Sequence, residues 1–229
     1  MSDNPNPNLH EGRRDRVRER YKRHGLDNFT DHEVLELLLY YSVARKDTNE
    51  LAHKLLNDFG SLDILFESDP LDIKRISGVS DLTAVLISMV PPLAGRYLNA
   101  KFAEKAVLDS SDKLGAFAGS LFFGKTYECF YCICLDNRSK LIAAAKISEG
   151  TVNETNVYPR RAAKEALKYN AVSVVLAHNH PSGHTEPSEN DFHATDIIKD
   201  ALRPLGIEVL DHIISGGGKY YSFAEHKRI

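Results

Sequence analysis

The chain has 229 residues, enough for one large domain or two small ones. Its 42% hydrophobic and 27% charged residues are ordinary for a soluble globular protein, and no apolar run is long enough to cross a bilayer. A net charge of −3 excludes the molecule as a whole from acting as an electrostatic magnet for nucleic acid or anionic membrane.

The opening MSDNPNPN is polar and reads as a frayed tail rather than a signal peptide, so a cytoplasmic location is expected. The first hundred residues then read as helix after helix. Thr30-Asp31-His32-Glu33 is a capping box ahead of an apolar stretch. Asp47 and Thr48 open a second helix, NELAHKLLNDF, which Gly60 closes. Asp69-Pro70 sets a cap before proline at the first helical position. Gly78-Val79-Ser80 breaks the chain before DLTAVLISMVPPLAGRYL. These signals predict an all-helical N-terminal domain over residues 1–100. The charged, weakly patterned NAKFAEKAVLDSSDK is expected to be a connection.

From about residue 115 the period turns strand-like. GKTYECFYCICLD and KLIAAAKIS form a predicted hairpin about Asp136-Asn137-Arg138-Ser139. RRAAKEALKYNA reads as helix, AVSVVLAH as a buried strand, SENDFHATDIIKDALRPLG as helix, and IEVLDHIIS and KYYSF as strands. Strands alternating with helices predict an α/β domain with a mixed sheet over residues 107–229.

The chemistry concentrates in VVLAHNHPSGHTEPSEND. On a strand, residues two apart share a face, so His178 and His180 can reach one ion together. Ser188 opens the following helix and places Asp191 in its first turn, able to bend back to the strand end. Two imidazoles and one carboxylate leave a fourth tetrahedral position for water, the mark of a catalytic rather than a structural zinc. Bland readings exist for each half. His-x-His arises by chance, and Ser188-x-x-Asp191 is also an ordinary helix cap with an acid favoured by the dipole.

The run His178-Asn179-His180-Pro181-Ser182-Gly183, with Pro187-Ser188-Glu189-Asn190-Asp191, resembles the RadC family. Its JAMM (MPN+, JAB) domain carries His-x-His, seven residues, Ser, two residues, Asp. Gly150-Thr151-Val152-Asn153, Pro159-Arg160 and Asp211-His212-Ile213-Ile214 extend the match across roughly residues 107–229, and the helical region before it is similar to the N-terminal part of RadC proteins. The resemblance implies a JAMM-type fold and zinc-dependent hydrolysis of a peptide or isopeptide bond. His178, His180 and Asp191 are then the metal ligands. Ser188 would donate a hydrogen bond to the water on the metal or to the oxyanion.

JAMM enzymes also take a general base from a glutamate upstream. Among Glu128, Glu149, Glu154 and Glu165, Glu128 is chosen, because it heads the strand CFYCICLD about fifty residues before the histidines, as in the family. One departure stands out: RadC sequences usually carry Arg-Glu after the proline, whereas Arg161 follows Pro159-Arg160 here.

Other candidates carry less. Cys132 and Cys134 share one strand face and Cys129 takes the other, so the cysteines read as small buried hydrophobes in a reducing compartment. His184 reads as a solvated loop residue and His193 as pointing away from Asp191. Asp211-His212 reads either as support for the metal ligands or as part of a core strand. LDIKRISGVSDLTAVLI resembles a helix-hairpin-helix, a module that takes a DNA phosphate, but Asp81 stands where phosphate would dock. The basic stretch Arg13–Arg23 is interleaved with Asp15 and Glu19 and also reads as a solvated helix face. The rival function is therefore a DNA-associated protein with a non-catalytic metal. A two-metal nuclease lacks the bridging ligands, and a nucleobase deaminase lacks Pro-Cys-x-x-Cys.

Overall fold

The computed structural model describes residues 12–44, 47–103, 106–150 and 158–229. The opening MSDNPNPN, the stretch Thr151-Val152-Asn153 and the candidate Glu154 lie outside the described residues. The chain divides into two compact units, one through Pro91 and the other from Pro92.

The first unit is helical: α1 (Arg13–His24), α2 (Asp31–Leu39), α3 (Asn49–Phe59), α4 (Leu62–Glu67), α5 (Pro70–Lys74) and α6 (Asp81–Ser88). The capping box forms as the sequence predicts, with Glu33 N–H donating to Thr30 Oγ1 and Thr30 N–H to Glu33 Oε2. Asp69 caps α5 through Leu71 N–H, and Ser80 caps α6 through Thr83 N–H. Leu35, Leu39, Ala52, Leu55, Leu65, Ile73, Ala84 and Ile87 form the core. One charge is buried beside it. Glu36 accepts a bidentate pair from Arg13 at 2.8 and 2.7 Å and the Tyr40 hydroxyl at 2.8 Å. Burial would raise its carboxyl, but these donors outweigh it and lower the pKa.

In the second unit, α7 (Val90–Ala103, entered from the first unit) leads to α8 (Ser111–Phe122). This corrects two expectations. The stretch expected as a connection contains the end of α7 and the start of α8, and the change to strands comes after residue 122 rather than at 115. The cause is legible in retrospect. Leu114, Phe117, Ala118 and Leu121 follow helical spacing and are all buried, but Gly115 and Gly119 dilute the pattern. Gly115 is there for packing, since a Cβ on it would lie 2.3 Å from Cδ1 of the Tyr220 ring.

A five-stranded sheet follows, in the order β2-β1-β3-β4-β5. Its strands are β1 (Cys129–Leu135), β2 (Leu141–Glu149), β3 (Ser173–Asn179), β4 (Glu208–Gly216) and β5 (Lys219–Ser222). Only the β3–β4 pairing is parallel, which makes the sheet mixed. Helices α9 (Tyr158–Lys168) and α10 (Glu189–Leu202) supply the core of one face through Ala162, Ala166, Ile198 and Leu202, and α8 covers the other. The alternation of β1 divides the cysteines as its sequence predicts. Cys132 and Cys134 enter the first core and Cys129 the second, all as free thiols. Every residue of β3 is buried, and its last turn of chain delivers His178 to the end of the sheet.

Candidate metal centre

His178 lies one residue before the end of β3, in register with Phe130 on one side and Ile214 on the other, so its backbone is fixed by two neighbouring strands. Its ring is wholly buried and lies parallel to Phe130 at 5.8 Å. His180, just past the strand, is held by its own N–H donating to Ser215 O at 2.9 Å. Asp191 enters from the first turn of α10. There the Ser188 N–H and hydroxyl both donate to Asp191 Oδ2 at 2.7 Å, while Asp191 N–H returns a bond to Ser188 Oγ. The helix cap expected of Ser188 and Asp191 forms, and it is what aims the carboxylate.

His178, His180 and Asp191 converge as one group able to hold a metal ion. The two Nε2 atoms are 3.0 Å apart. Asp191 Oδ1 is 3.1 Å from His178 Nε2, and Oδ2 is 3.7 Å from His180 Nε2. Ligand atoms at about 2.0–2.1 Å from a tetrahedral ion stand about 3.3 Å from one another, and one ligand atom from each of the three side chains lies within 4.8 Å of the others, close enough to share one ion.

Proton placement agrees. His180 Nδ1 is 3.0 Å from the carbonyl of His184. A carbonyl only accepts, so Nδ1 carries the hydrogen and a neutral His180 presents its Nε2 lone pair to the group. Burial alone would raise the Asp191 carboxyl, but hydrogen bonds and charge from His178 and Ser188 hold it far below the ordinary carboxylate range. A lone pair from His180 and the Asp191 anion, gathered beside His178 at one point, suit a cation.

Behind the group lies His212 on β4, also wholly buried, with Nε2 2.8 Å from His178 Nδ1. It packs on Phe223 at 4.7 Å, and burial together with the neighbouring His178 pushes its pKa well below the usual histidine value. The preceding residue, Asp211, pins the chain after β5. Its carboxylate accepts from the Ser222 hydroxyl at 2.6 Å and Ala224 N–H at 3.0 Å, and burial raises its pKa.

Glu128 stands immediately before β1 and is exposed. Extending the Phe130–His178 register by two residues sets it opposite His180, on the face shared with both histidines. The ladder there is continued by a side chain. Asn179 Oδ1 accepts from Cys129 N–H at 2.8 Å, and its Nδ2 donates to Tyr127 O at 3.0 Å, clamping Glu128 from both sides. Gly150 N–H adds a bond to Glu128 O at 2.9 Å. By contrast, Glu149 is paired with Lys146, and Glu165 with Lys168 at 3.1 Å. Arg161, where the family usually has glutamate, donates to Ile147 O at 2.7 Å and so ties α9 to β2. His193 is exposed, and His184 contributes its carbonyl to His180.

Sequence reasoning missed the clamp of Asn179 and the part played by Thr195 on α10, whose hydroxyl lies 2.7 Å from His212 Nδ1. Both partnerships join segments distant along the chain, so no local pattern announces them. It also missed how closely the loop after His180 is packed. A Cβ on Gly216 would lie 2.9 Å from Gly183 C and from His184 O. Gly216→Ala should therefore shift the carbonyl that orients His180 and weaken metal binding about 10–100-fold, as loss of such supporting bonds does. Competition with a chromophoric chelator measures this, and wild-type affinity would show that the loop yields elsewhere.

Fold and site together define a helical unit joined to an α/β unit whose mixed sheet carries a His-His-Asp group at one end. The chain matches the RadC-like JAB domain family over residues 108–228 and the UPF0758 N-terminal family over residues 11–85. It is 41% identical over 212 residues to a UPF0758 protein of Janthinobacterium sp. (strain Marseille), covering 93% of this chain and 95% of that protein. Over 214 residues it is 37% identical to a UPF0758 protein of Herminiimonas arsenicoxydans, covering 93% and 96%. The chain belongs to the RadC family, with a RadC-like JAB domain behind a UPF0758 N-terminal region.

Proposed function

We propose that the protein is a zinc-dependent hydrolase of peptide or isopeptide bonds working in the cytoplasm, where three buried free thiols suit a reducing compartment. The observation that carries this reading is the convergence of His178, His180 and Asp191, whose ligand atoms lie within 4.8 Å of one another. Two histidines and one carboxylate are a catalytic rather than a structural ligand set. When bound, zinc supplies Lewis acidity, polarising an amide carbonyl and bringing the acidity of water near neutrality.

The residues of the chain do the rest. Glu128, held by the Asn179 clamp on the ligand face, takes the proton of the attacking water and later delivers it to the leaving amine nitrogen. Ser188 holds Asp191 Oδ2 twice, through N–H and through O–H. In this role the hydroxyl turns from Asp191 to donate to the oxyanion, while the backbone N–H keeps its bond to Oδ2. The test is metal analysis of the purified protein with hydrolysis of a panel of peptide and isopeptide substrates. About one zinc per chain is expected, with cleavage abolished by chelation and restored by zinc. Cleavage that survives complete removal of metal would overturn the reading.

The rival, DNA association through the N-terminal unit, draws on the hairpin between α5 and α6, whose turn uses Gly78 at φ 98°. Its charges are largely committed: Asp81 pairs with Lys74, while Arg13, Arg18, Arg20 and Lys22 each hold a carboxylate. A gel shift that weakens steeply between two salt concentrations is the result that would favour it.

A further inference from the structure

The side chains behind the metal group form a continuous buried chain that ends on two of its ligands. Thr195 Oγ1 is 2.6 Å from the backbone carbonyl of Asp191 and 2.7 Å from His212 Nδ1. His212 Nε2 is 2.8 Å from His178 Nδ1, and all three side chains are 1% exposed or less. Each of these contacts is direct and buried, so the hydrogens can be counted.

A carbonyl cannot donate, so the single hydroxyl hydrogen of Thr195 belongs to the bond with Asp191 O. The hydroxyl must then accept from His212, which places the His212 hydrogen on Nδ1. A neutral imidazole has one such hydrogen, so His212 Nε2 is an acceptor. His178 must in turn donate from Nδ1. In the neutral ring this leaves the Nε2 lone pair facing Asp191 Oδ1 and His180 Nε2, the form that binds a cation.

We infer that Thr195 and His212 are positioning residues that lock His178 into its Nδ1–H tautomer, so that the backbone of one metal ligand, Asp191, fixes the proton on another. This rests on the metal-site reading above and adds two residues to it. Metal-bound histidines usually donate to a carboxylate, a backbone carbonyl or water. Here the acceptor is a second neutral imidazole, which orients His178 without placing an anion behind it.

The test measures zinc affinity of the full chain by chelator competition, and histidine tautomers of the metal-free protein by 15N-labelled histidine NMR. Thr195→Val removes the acceptor at nearly constant volume. His212 can then turn its hydrogen toward His178, which moves the His178 hydrogen onto Nε2. Zinc binding should weaken about 10–100-fold, and the Nε2–H form of His178 should appear. Thr195→Ser should restore wild-type behaviour on both counts. His212→Leu should lose affinity, whereas His212→Gln, whose amide oxygen can accept from Nδ1, should recover most of it. A purely structural role would weaken Ser and Gln variants alongside Val and Leu.

Unchanged affinity in a folded Thr195→Val protein would overturn the proposal, and so would wild-type protein carrying the His178 hydrogen on Nε2. Wild-type protein that binds no zinc would instead sink the hydrolase reading. The tautomer measurement, which needs no metal, would still decide the role of Thr195 and His212.

Discussion

Replacing His178 with alanine is expected to leave the purified protein without its metal. His178 Nε2 lies within 3.1 Å of both other ligand groups, so its loss reduces three converging donors to two. Removing a supporting bond costs about 10–100-fold in metal affinity, and removing a ligand outright should cost more. Because His178 is wholly buried, the variant also opens a hole beside Phe130 and strips His212 Nε2 of its partner. Some loss of thermal stability is therefore expected as well. His180→Ala separates the two effects. Its side chain is 21% exposed, so it should lose metal with little change in melting temperature. Elemental analysis of both variants after dialysis decides the matter. Stoichiometric zinc retained by either one would contradict the ligand assignment.

The second large effect is expected on the chemical step. Glu128→Gln keeps the size of the side chain and the backbone bonds to Gly150 and through the Asn179 clamp, but it removes the proton acceptor. General-base loss typically lowers turnover by about 10²–10⁴-fold. Zinc content should stay at the wild-type value, because Glu128 is not among the converging donors. Its exposure means that folding is not at stake. Turnover equal to wild type on any substrate the protein cleaves would move the base elsewhere. Glu149 and Glu165 are poor successors, since each already holds a lysine.

Much of this was readable in the sequence because it is local. A strand places His178 and His180 on one face, and a capped helix places Asp191 three residues after Ser188; both rules operate over a handful of residues. The same locality carried the capping box at Thr30 and the division of Cys129 from Cys132 and Cys134. It failed at α8, where Gly115 looks like a helix breaker until the Tyr220 ring, from the far end of the chain, is seen to occupy the place of its Cβ. It was also silent on Asn179, Thr195 and the carbonyl of His184. Their partners are fixed by strand order and by helix packing, which no spacing within one segment encodes. His212 was legible as a candidate but not in its role, because a buried histidine on a core strand looks the same until its two ring nitrogens have named partners.

The C-terminal hairpin has a consequence for when the site comes into being. Phe223 is fully buried against His212, Asp211 is tied to Ser222 and Ala224, and Tyr220 reaches back across the sequence to Asp112. A ribosome that has delivered His178, His180 and Asp191 has therefore not yet delivered the parts that hold His212 behind them. The nascent polypeptide should hold the three donors, with Asp191 already aimed by its cap, before the segment that packs behind His212 exists. The support behind the group is completed only when the final strand docks.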